Sequence, residues 1–299
     1  MASEIKTMRP ASATEAAFIT GSVRAHDGVS IGYRQIGTGP GLVILHGAME
    51  SSASHTQLAA ALADALTIYL PDRRGRGMSG PHGPDYSVAE EIGDLEALMA
   101  QTGAQYVFGV SAGALVALCA ALRLPSIGKL ALFEPPIFPT RSEPEAFLTR
   151  YDREMAQGKV SAALVTAMKG AQMGPTIFNL LPNWLLERLT GSAMAGEAKK
   201  STGEYLTMQA LAPTLHYDFT LVAQLSGPVD QFKALETETL LLTGSKSPTY
   251  LRESINRLAA VLPHAQRVEY LGLNHGASGN ADRFGKPEVV AQTLRRFFA

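Results

Sequence analysis

One serine of this sequence stands in a setting that suits nucleophilic chemistry. Ser111 lies in Gly109-Val110-Ser111-Ala112-Gly113, between an apolar run that predicts a strand and an alanine-rich segment that predicts a helix. A serine on such a strand-turn-helix junction is exposed on a sharp turn near a helix N-terminus, where oriented N–H groups favour negative charge. Gly109 and Gly113 are small enough to let strand and helix approach each other. The pattern therefore predicts a serine nucleophile.

A serine hydroxyl needs a base to take its proton, and His275 is the best candidate among the seven histidines. It follows the last apolar strand, in the glycine-flanked loop Gly272 to Gly276, from which it can reach back over the sheet edge. His46 directly follows an earlier apolar run. We interpret His46 as a residue that orients its loop rather than as the base.

Two backbone amides are candidates for an oxyanion hole. The amide of Ala112 follows the nucleophile, and the amide of Ala48 lies in the loop after an earlier strand. Losing such a donor costs roughly 3 to 4 kcal/mol of transition-state stabilisation. We expect both amides to bind the negative oxygen that forms when the serine attacks a carbonyl.

These residues must be positioned by a regular scaffold, and short apolar runs alternate along the chain with helical patterns. Such alternation predicts a parallel sheet covered by helices. The predicted strands cover residues 18–25, 29–36, 41–45, 67–70, 106–110, 129–133, 239–243 and 266–271. The predicted helices outside the long interruption cover residues 53–66, 87–101, 112–124, 249–262 and 287–298.

The strand pattern is interrupted by a long helical stretch. No good strand occurs from residue 136 to about residue 232, where prolines break a series of helical patterns. We therefore predict a core made of residues 18–135 and 233–299, a helical cap over residues 136–232, and a disordered tail over residues 1–17.

Composition excludes several classes of protein. The 299 residues carry a formal net charge of −1, which argues against a nucleic-acid-binding surface. The tight basic cluster of Arg73, Arg74 and Arg76 is flanked by aspartate and glycine, which indicates a turn. Cys119 is the only cysteine, so no intrachain disulfide can form. The longest apolar run, 112–122, is far shorter than the ~20 residues of a spanning helix, and we expect a soluble, cytoplasmic protein.

Four motifs together resemble the α/β-hydrolase superfamily. They are His46-Gly47, the segment Asp72 to Gly80, the turn Gly109 to Gly113, and His275, in the family's order and spacing. The resemblance implies an α/β fold with a mostly parallel eight-stranded sheet, helices on both faces, and a helical cap between strands six and seven. It implies a serine-nucleophile enzyme similar to esterases and lactonases. In the family the second motif is a structural turn, which is the role we assign to Asp72 and Ser79.

The sequence departs from the family pattern at the acid that orients the histidine. Most members place an aspartate after strand seven, where this chain has Ser247. Some relatives, including haloalkane dehalogenases and certain lactonases, take the acid from the end of strand six, where this chain has Glu134. We assign Glu134 as the orienting acid. Asp230 and Glu253 are distant alternatives, and a site without a carboxylate partner stays open.

The predicted cap is rich in aromatic residues and methionines, most of which must pack its helices together. The remainder can line an apolar pocket above the nucleophile. We expect Met49, Val110 and Trp184 to contact a medium-sized apolar ester or lactone.

Three functions are compatible with these residues. The first is hydrolysis of an ester or lactone through an acyl-enzyme; the second uses the serine–histidine pair for carbon–carbon bond hydrolysis, lyase or cyclisation chemistry. The third is ligand binding on a hydrolase scaffold. The histidines lack the paired spacing of a zinc helix, and no dinucleotide fingerprint opens a strand-helix unit, so we expect no metal and no cofactor. The sequence does not indicate an oligomeric state.

Overall fold

The computed structural model describes residues 18–83, 86–174, 176–200 and 205–299. The disordered tail predicted for residues 1–17 lies outside the described residues. Eight strands form one sheet. They are β1 (Ile19–Arg24), β2 (Ser30–Ile36), β3 (Gly41–Leu45), β4 (Thr67–Pro71), β5 (Tyr106–Val110), β6 (Lys129–Phe133), β7 (Glu238–Gly244) and β8 (Ala265–Tyr270).

The strand order is β1-β2-β4-β3-β5-β6-β7-β8. The pairs β1–β2 and β2–β4 are antiparallel, and all the other neighbours are parallel. The central strands are buried on both faces, because Val43 and Leu45 pack in one apolar cluster while Leu42 and Ile44 pack in the other. The predicted mostly parallel eight-stranded sheet is confirmed.

Helices cover both faces of the sheet. Side chains of α2 (Val88–Thr102), α3 (Ala112–Ala121) and α9 (Thr249–Val261) belong to one cluster; those of α1 (Thr56–Leu62) and α10 (Pro287–Phe298) belong to the other. Helix α3 is buried over its whole length. Its small residues allow this burial, because a helix that is apolar all round can be enclosed by its neighbours.

Further helices lie between β6 and β7 in the chain, and we call them the inserted helices. They are α4 (Ser142–Ala156), α5 (Val160–Gly170), α6 (Asn183–Lys200), α7 (Met208–Leu211) and α8 (Leu215–Leu225). Buried residues of α4, α5 and α8 contribute to an apolar cluster among the inserted helices. Met194 of α6, Met208 of α7, and Ala48 and Met49 of the sheet domain pack against this cluster. In the described part of the chain, every helix is too short or too polar to cross a membrane.

Candidate active site

Ser111 occupies the tight turn between β5 and α3. Its backbone has φ 53° and ψ −121°, a conformation that a non-glycine residue rarely adopts. A Cβ atom at Gly109 would lie 2.5 Å from Ala114 Cα, and one at Gly113 would lie 2.4 Å from Leu45 O. Strand and helix therefore approach so closely that both positions require glycine. The sequence motif has the structural setting of a nucleophile elbow.

Backbone strain is concentrated around this turn. Among the described residues, five that are not glycine have positive φ, and three of them are Met49 (57°), Ser111 (53°) and Glu134 (49°). Each follows the carboxyl end of a parallel strand: β3, β5 and β6, respectively. Such conformations persist where the surrounding structure holds them, and they cluster at functional sites. The strain marks this edge of the sheet as the candidate site.

Glu134 binds His275. Its Oε2 atom lies 2.6 Å from His275 Nδ1, and Oε1 accepts hydrogen bonds from Thr243 Oγ1 and Gly244 N–H, both at 2.7 Å. Glu134 is fully buried. Desolvation would raise the pKa of its carboxyl, but the hydrogen bond and charge of His275 lower the pKa below the usual value. The ionised carboxylate accepts a hydrogen bond from Nδ1–H of His275 and so leaves Nε2 as the nitrogen that can act as a base.

Ser111 and His275 line the same cavity, which has a volume of about 420 Å³. Among the described residues, no group forms a hydrogen bond with the Ser111 hydroxyl. Catalytic hydrogen bonds are often long without substrate and tighten in the reacting complex. Ala48 and Ala112 also line this cavity. Four of the five residues to which the sequence assigned the chemistry and the oxyanion hole thus line one cavity, and the fifth, Glu134, is joined to it through His275.

The loop after β3 lies against Ser111. A Cβ atom at Gly47 would lie 3.1 Å from Ser111 Cβ, so the backbone comes very close to the serine. The N–H of Gly47 donates to Glu50 Oε2 at 2.7 Å. In the described part of the chain, neither Ala48 N–H nor Ala112 N–H donates to another protein group. Both residues line the cavity, so their amides are the candidates for the oxyanion hole.

His46 stabilises the loop after β3 through hydrogen bonds to two loops. Its Nδ1–H donates to Gly47 O at 2.8 Å, and its Nε2 accepts the backbone N–H of Arg73 at 3.1 Å. Desolvation, together with the positive charges of Arg76 and Arg73, holds the pKa of His46 well below its usual value. His46 is thus a neutral, buried residue that links two loops, in agreement with the predicted orienting role.

The segment after β4 is a structural turn, as predicted. Asp72 accepts hydrogen bonds from Ser52 N–H at 2.7 Å and Met78 N–H at 2.8 Å, and Ser79 Oγ donates to Asp72 O at 2.5 Å. These contacts close the turn on itself and attach it to the loop after β3.

The arginines of this turn are buried, although charged side chains in a turn are usually exposed to solvent. Arg73 pairs with Glu91 of α2 at 2.6 Å and with Asp218 of α8 at 2.9 Å. Arg76 pairs with the other oxygen of Asp218 at 2.5 Å. Asp218 also lines the cavity. This buried ion-pair network therefore fixes one wall of the cavity to the sheet domain.

A family model described as the alpha/beta hydrolase family matches residues 42–293. The chain belongs to the alpha/beta hydrolase family. The match covers residues 42–135 and 233–293 of the predicted core and the inserted helices between them. The expected superfamily and its fold are confirmed.

Relatives of this hydrolase include proteins named as esterases. A pimeloyl-[acyl-carrier protein] methyl ester esterase of Xanthomonas axonopodis pv. citri is 28% identical over 272 residues, which cover 88% of this chain and 97% of that protein. The crystal structure of an alpha/beta hydrolase from Sphaerobacter thermophilus has 31% identity and a TM-score of 0.74, covering 93% of this chain and all of that one. A thermophilic esterase from Thermogutta terrifontis, 18% identical with a TM-score of 0.69 and covering 94% and 98% of the two chains, shows the same fold.

The structure of this hydrolase places one of the three predicted substrate contacts at the cavity and two away from it. Met49 lines the cavity, but Val110 and Trp184 do not. Val110 is 3% exposed and packs in the apolar cluster under α1 and α10, because the last residue of β5 points away from the cavity side. Trp184, on α6, is 65% exposed to solvent. The apolar residues of α6 are not concentrated on one face, so the sequence gave no indication of which way Trp184 points.

The cavity contains residues that sequence reasoning missed. Asp218, Tyr250 and Thr190 line it beside the apolar side chains. Asp218 had no local signal, since its partners lie about 140 positions earlier in the chain. Tyr250 lies at the start of α9, three residues after Ser247. Because the loop after β7 usually carries the acid of the family, its position could have indicated that Tyr250 borders the site.

Proposed function

We propose that this hydrolase cleaves carboxylic esters or lactones of medium-sized apolar acids through an acyl-enzyme on Ser111. The observation that carries the proposal is the Glu134–His275 pair, joined at 2.6 Å, whose imidazole lines the same cavity as Ser111. A nucleophile, a base and a group that orients the base are what acyl transfer requires.

In the first half of the reaction, Ser111 Oγ attacks the carbonyl carbon while His275 Nε2 takes the hydroxyl proton. The carbonyl π electrons move to the oxygen, and the N–H groups of Ala48 and Ala112 bind this oxyanion. Glu134 stays ionised and stabilises the imidazolium. When the tetrahedral intermediate collapses, the C–O bond to the alcohol breaks, and His275 gives its proton to the leaving oxygen.

The second half repeats these steps with water. His275 takes a proton from a water molecule, whose oxygen attacks the acyl carbon, and the same two amides bind the oxyanion. The bond to Ser111 Oγ then breaks, and His275 returns the proton to the serine. The carboxylic acid leaves, and all residues regain their starting protonation.

The cavity favours an uncharged, apolar acyl group. Its walls include Phe138, Phe147, Leu164, Met168 and Phe219. A volume of about 420 Å³ is in the range of small-ligand sites. The ester hydrolysis named for the Xanthomonas relatives supports this class of reaction.

We assign the inserted helices to a cap domain over residues 136–232, with residues 18–135 and 233–299 as the core. The cavity supports this division, because Ser111 and His275 line it from the core, whereas Leu164 and Phe219 line it from the inserted helices. The cytoplasmic location stays a prediction from the cysteine content.

A fluorophosphonate probe and a set of nitrophenyl esters from acetate to laurate test the proposed function. We expect the probe to label Ser111 of the folded protein. Ser111→Ala should lower kcat by about 10⁴- to 10⁶-fold. Ser192→Ala is the matched control, because this serine is exposed on α6 and should leave kcat unchanged. A folded, unlabelled protein that is inert toward every ester would refute the proposal and favour carbon–carbon bond or lyase chemistry.

A further inference from the structure

Two loops of the site are joined through a carboxylate and an imidazole that have no part in the proton transfers described above. Glu50 Oε2 accepts the N–H of Gly47 at 2.7 Å and so closes the loop after β3. The same oxygen lies 3.2 Å from His55 Nε2. On its other side, His55 Nδ1 lies 3.0 Å from the carbonyl oxygen of Ser278, on the loop that carries His275. The imidazole therefore bridges the two loops.

The partners of His55 fix its protonation. A backbone carbonyl can only accept a hydrogen bond, and an ionised carboxylate can only accept as well. Both ring nitrogens of His55 must then donate, which makes the ring an imidazolium. The histidine is 1% exposed, so its positive charge lies in a buried site and is compensated by Glu50.

The electrostatics agree with this geometry. Desolvation would lower the pKa of His55, but the charge of Glu50 and its hydrogen bond raise it above the usual histidine value. Desolvation would raise the pKa of Glu50, but the charge and hydrogen bonds of His55 and Gly47 lower it to about 2. The other titratable group facing Glu50 is His46, which is kept neutral beside Arg73 and Arg76.

We propose that Glu50 and His55 are positioning residues that hold the oxyanion amide of Ala48 in register with His275. The proposal rests on the proposed function, because it names how one donor of that oxyanion hole is fixed. Ala48 directly follows Gly47, whose N–H is bound by Glu50. The peptide that presents the Ala48 N–H is held at its carbonyl oxygen by His46 Nδ1–H, and the adjacent Gly47 N–H is held by Glu50. Loss of the bond to Glu50 removes one of these two restraints and lets the Ala48 N–H shift. The docking of the His275 loop through Ser278 is weakened by the same change.

Substitution of the pair should affect the transition state more than substrate binding. We expect Glu50→Gln and His55→Gln to lower kcat by about 10- to 100-fold, less than the 10²- to 10³-fold loss from removing an oxyanion donor outright. KM should stay within about two-fold, since the donor acts on charge that develops in the transition state. Affinity for a trifluoromethyl ketone, which forms an oxyanion on the serine, should fall in parallel with kcat.

Each rate must be expressed per active site, counted by fluorophosphonate labelling, so that loss of folded protein does not count as loss of catalysis. His264→Gln is the matched control, because His264 Nε2 also lies 3.2 Å from a glutamate oxygen, that of Glu236, but both side chains are exposed. This variant should have wild-type kcat. The double variant Glu50→Gln/His55→Gln should be no slower than the worse single variant, because residues that act as a pair are not additive.

The protonation of His55 gives a second readout that needs no variant activity. In the wild-type protein, NMR at neutral pH should show two ring N–H protons for His55. The kcat of the wild type should fall at alkaline pH as His55 loses its proton, and His55→Gln should lack this limb.

Three results would overturn the proposal: unchanged kcat per labelled site in both variants, effects that multiply in the double variant, or a single ring proton on His55. If the variants do not fold, the number of ring N–H protons on His55 of the wild type still tests the proposal. A wild-type protein that the probe does not label would refute the proposed function alone, because the ring protons of His55 are observed without turnover.

Discussion

Glu134 divides its two carboxylate oxygens between the histidine and the sheet. Oε2 binds His275 Nδ1 at 2.6 Å, and Oε1 binds Thr243 and Gly244 at the end of β7. The carboxylate is thus held by a neighbouring strand as well as by its own. This arrangement restricts the side chain to one position, from which it can orient the imidazole.

Glu134→Gln should lower kcat by about 10²- to 10⁴-fold. The amide has the size of the carboxylate, but it cannot stabilise the imidazolium, and its NH₂ group can favour the wrong tautomer of His275. Steady-state kinetics on a nitrophenyl ester measure the effect. Asp230→Asn and Glu253→Gln are the controls, since both side chains are exposed. Near-equal activity of the three variants would exclude Glu134 as the orienting acid.

A carboxylate introduced at position 247, in the loop after β7, should be able to replace Glu134 as the partner of His275. Ser247 is 5% exposed and close enough to Glu134 to help lower its pKa. Ser247→Asp alone should reduce kcat, because two adjacent carboxylates repel each other and favour protonation of one. Combined with Glu134→Gln, the same change should raise kcat at least about 10-fold above that of Glu134→Gln, because a carboxylate again faces the imidazole. Equal rates for these two proteins would show that position 247 cannot reach His275.

Glu91→Gln should lower the free energy of unfolding by about 3 to 5 kcal/mol, because Arg73 then loses its closest buried counter-charge. Desolvation would raise the pKa of Glu91, but Arg73 lowers it from 4.5 to about 2. The wild type therefore has this stabilisation above pH 4.5 and loses it as the pH falls toward 2. Thermal unfolding of the variant should depend less on pH across that interval.

The control for this prediction is Glu269→Gln, whose partner Arg267 lies at the same 2.6 Å but at the surface. An exposed pair contributes less than about 1 kcal/mol. A similar loss of stability in both variants would contradict the importance of burial.

Ala167→Leu should shorten the acyl chain that the enzyme accepts. Ala167 is 6% exposed and lines the cavity from α5. The larger side chain should lower kcat/KM for a long-chain ester by about 10-fold or more, since one methylene in an apolar pocket changes specificity by that amount. The acetate ester should be little affected. Trp184→Ala is the comparison, and it should leave the chain-length profile unchanged because Trp184 lies outside the cavity.

Much of the fold could be predicted because apolar periodicity reports burial directly. The bounds of β3, β5, β6 and α10 are those that the sequence predicted, and the other predicted strands differ by a residue or two at their ends. The nucleophile turn was equally readable, since its glycines are required by close backbone contacts. The strand bounds and the turn at Ser111 depend on residues that are close together in the sequence, so the sequence alone predicts them.

The ion pairs could not be predicted in the same way. The pattern around Arg73 and Arg76 correctly indicated a turn, but it did not show that both side chains are buried. Asp218, which compensates them, is 145 positions from Arg73. Glu50 and His55 are close in sequence, yet their role depends on Ser278, 223 positions from His55. Pairing across such separations follows from the tertiary structure alone.

The carboxylate that binds His275 comes from β6, and this has a consequence for how new specificities can arise. In most of the family, the segment after β7 must supply that acid and cannot vary freely. In this chain Glu134 binds His275, so the segment from Ser245 to Ser247 does not have to supply the acid. Tyr250, at the start of α9, borders the cavity. We expect substitutions at Tyr250 to change substrate preference, whereas Ser245 and Lys246 should be kept, because both hydrogen-bond the loop that carries His275.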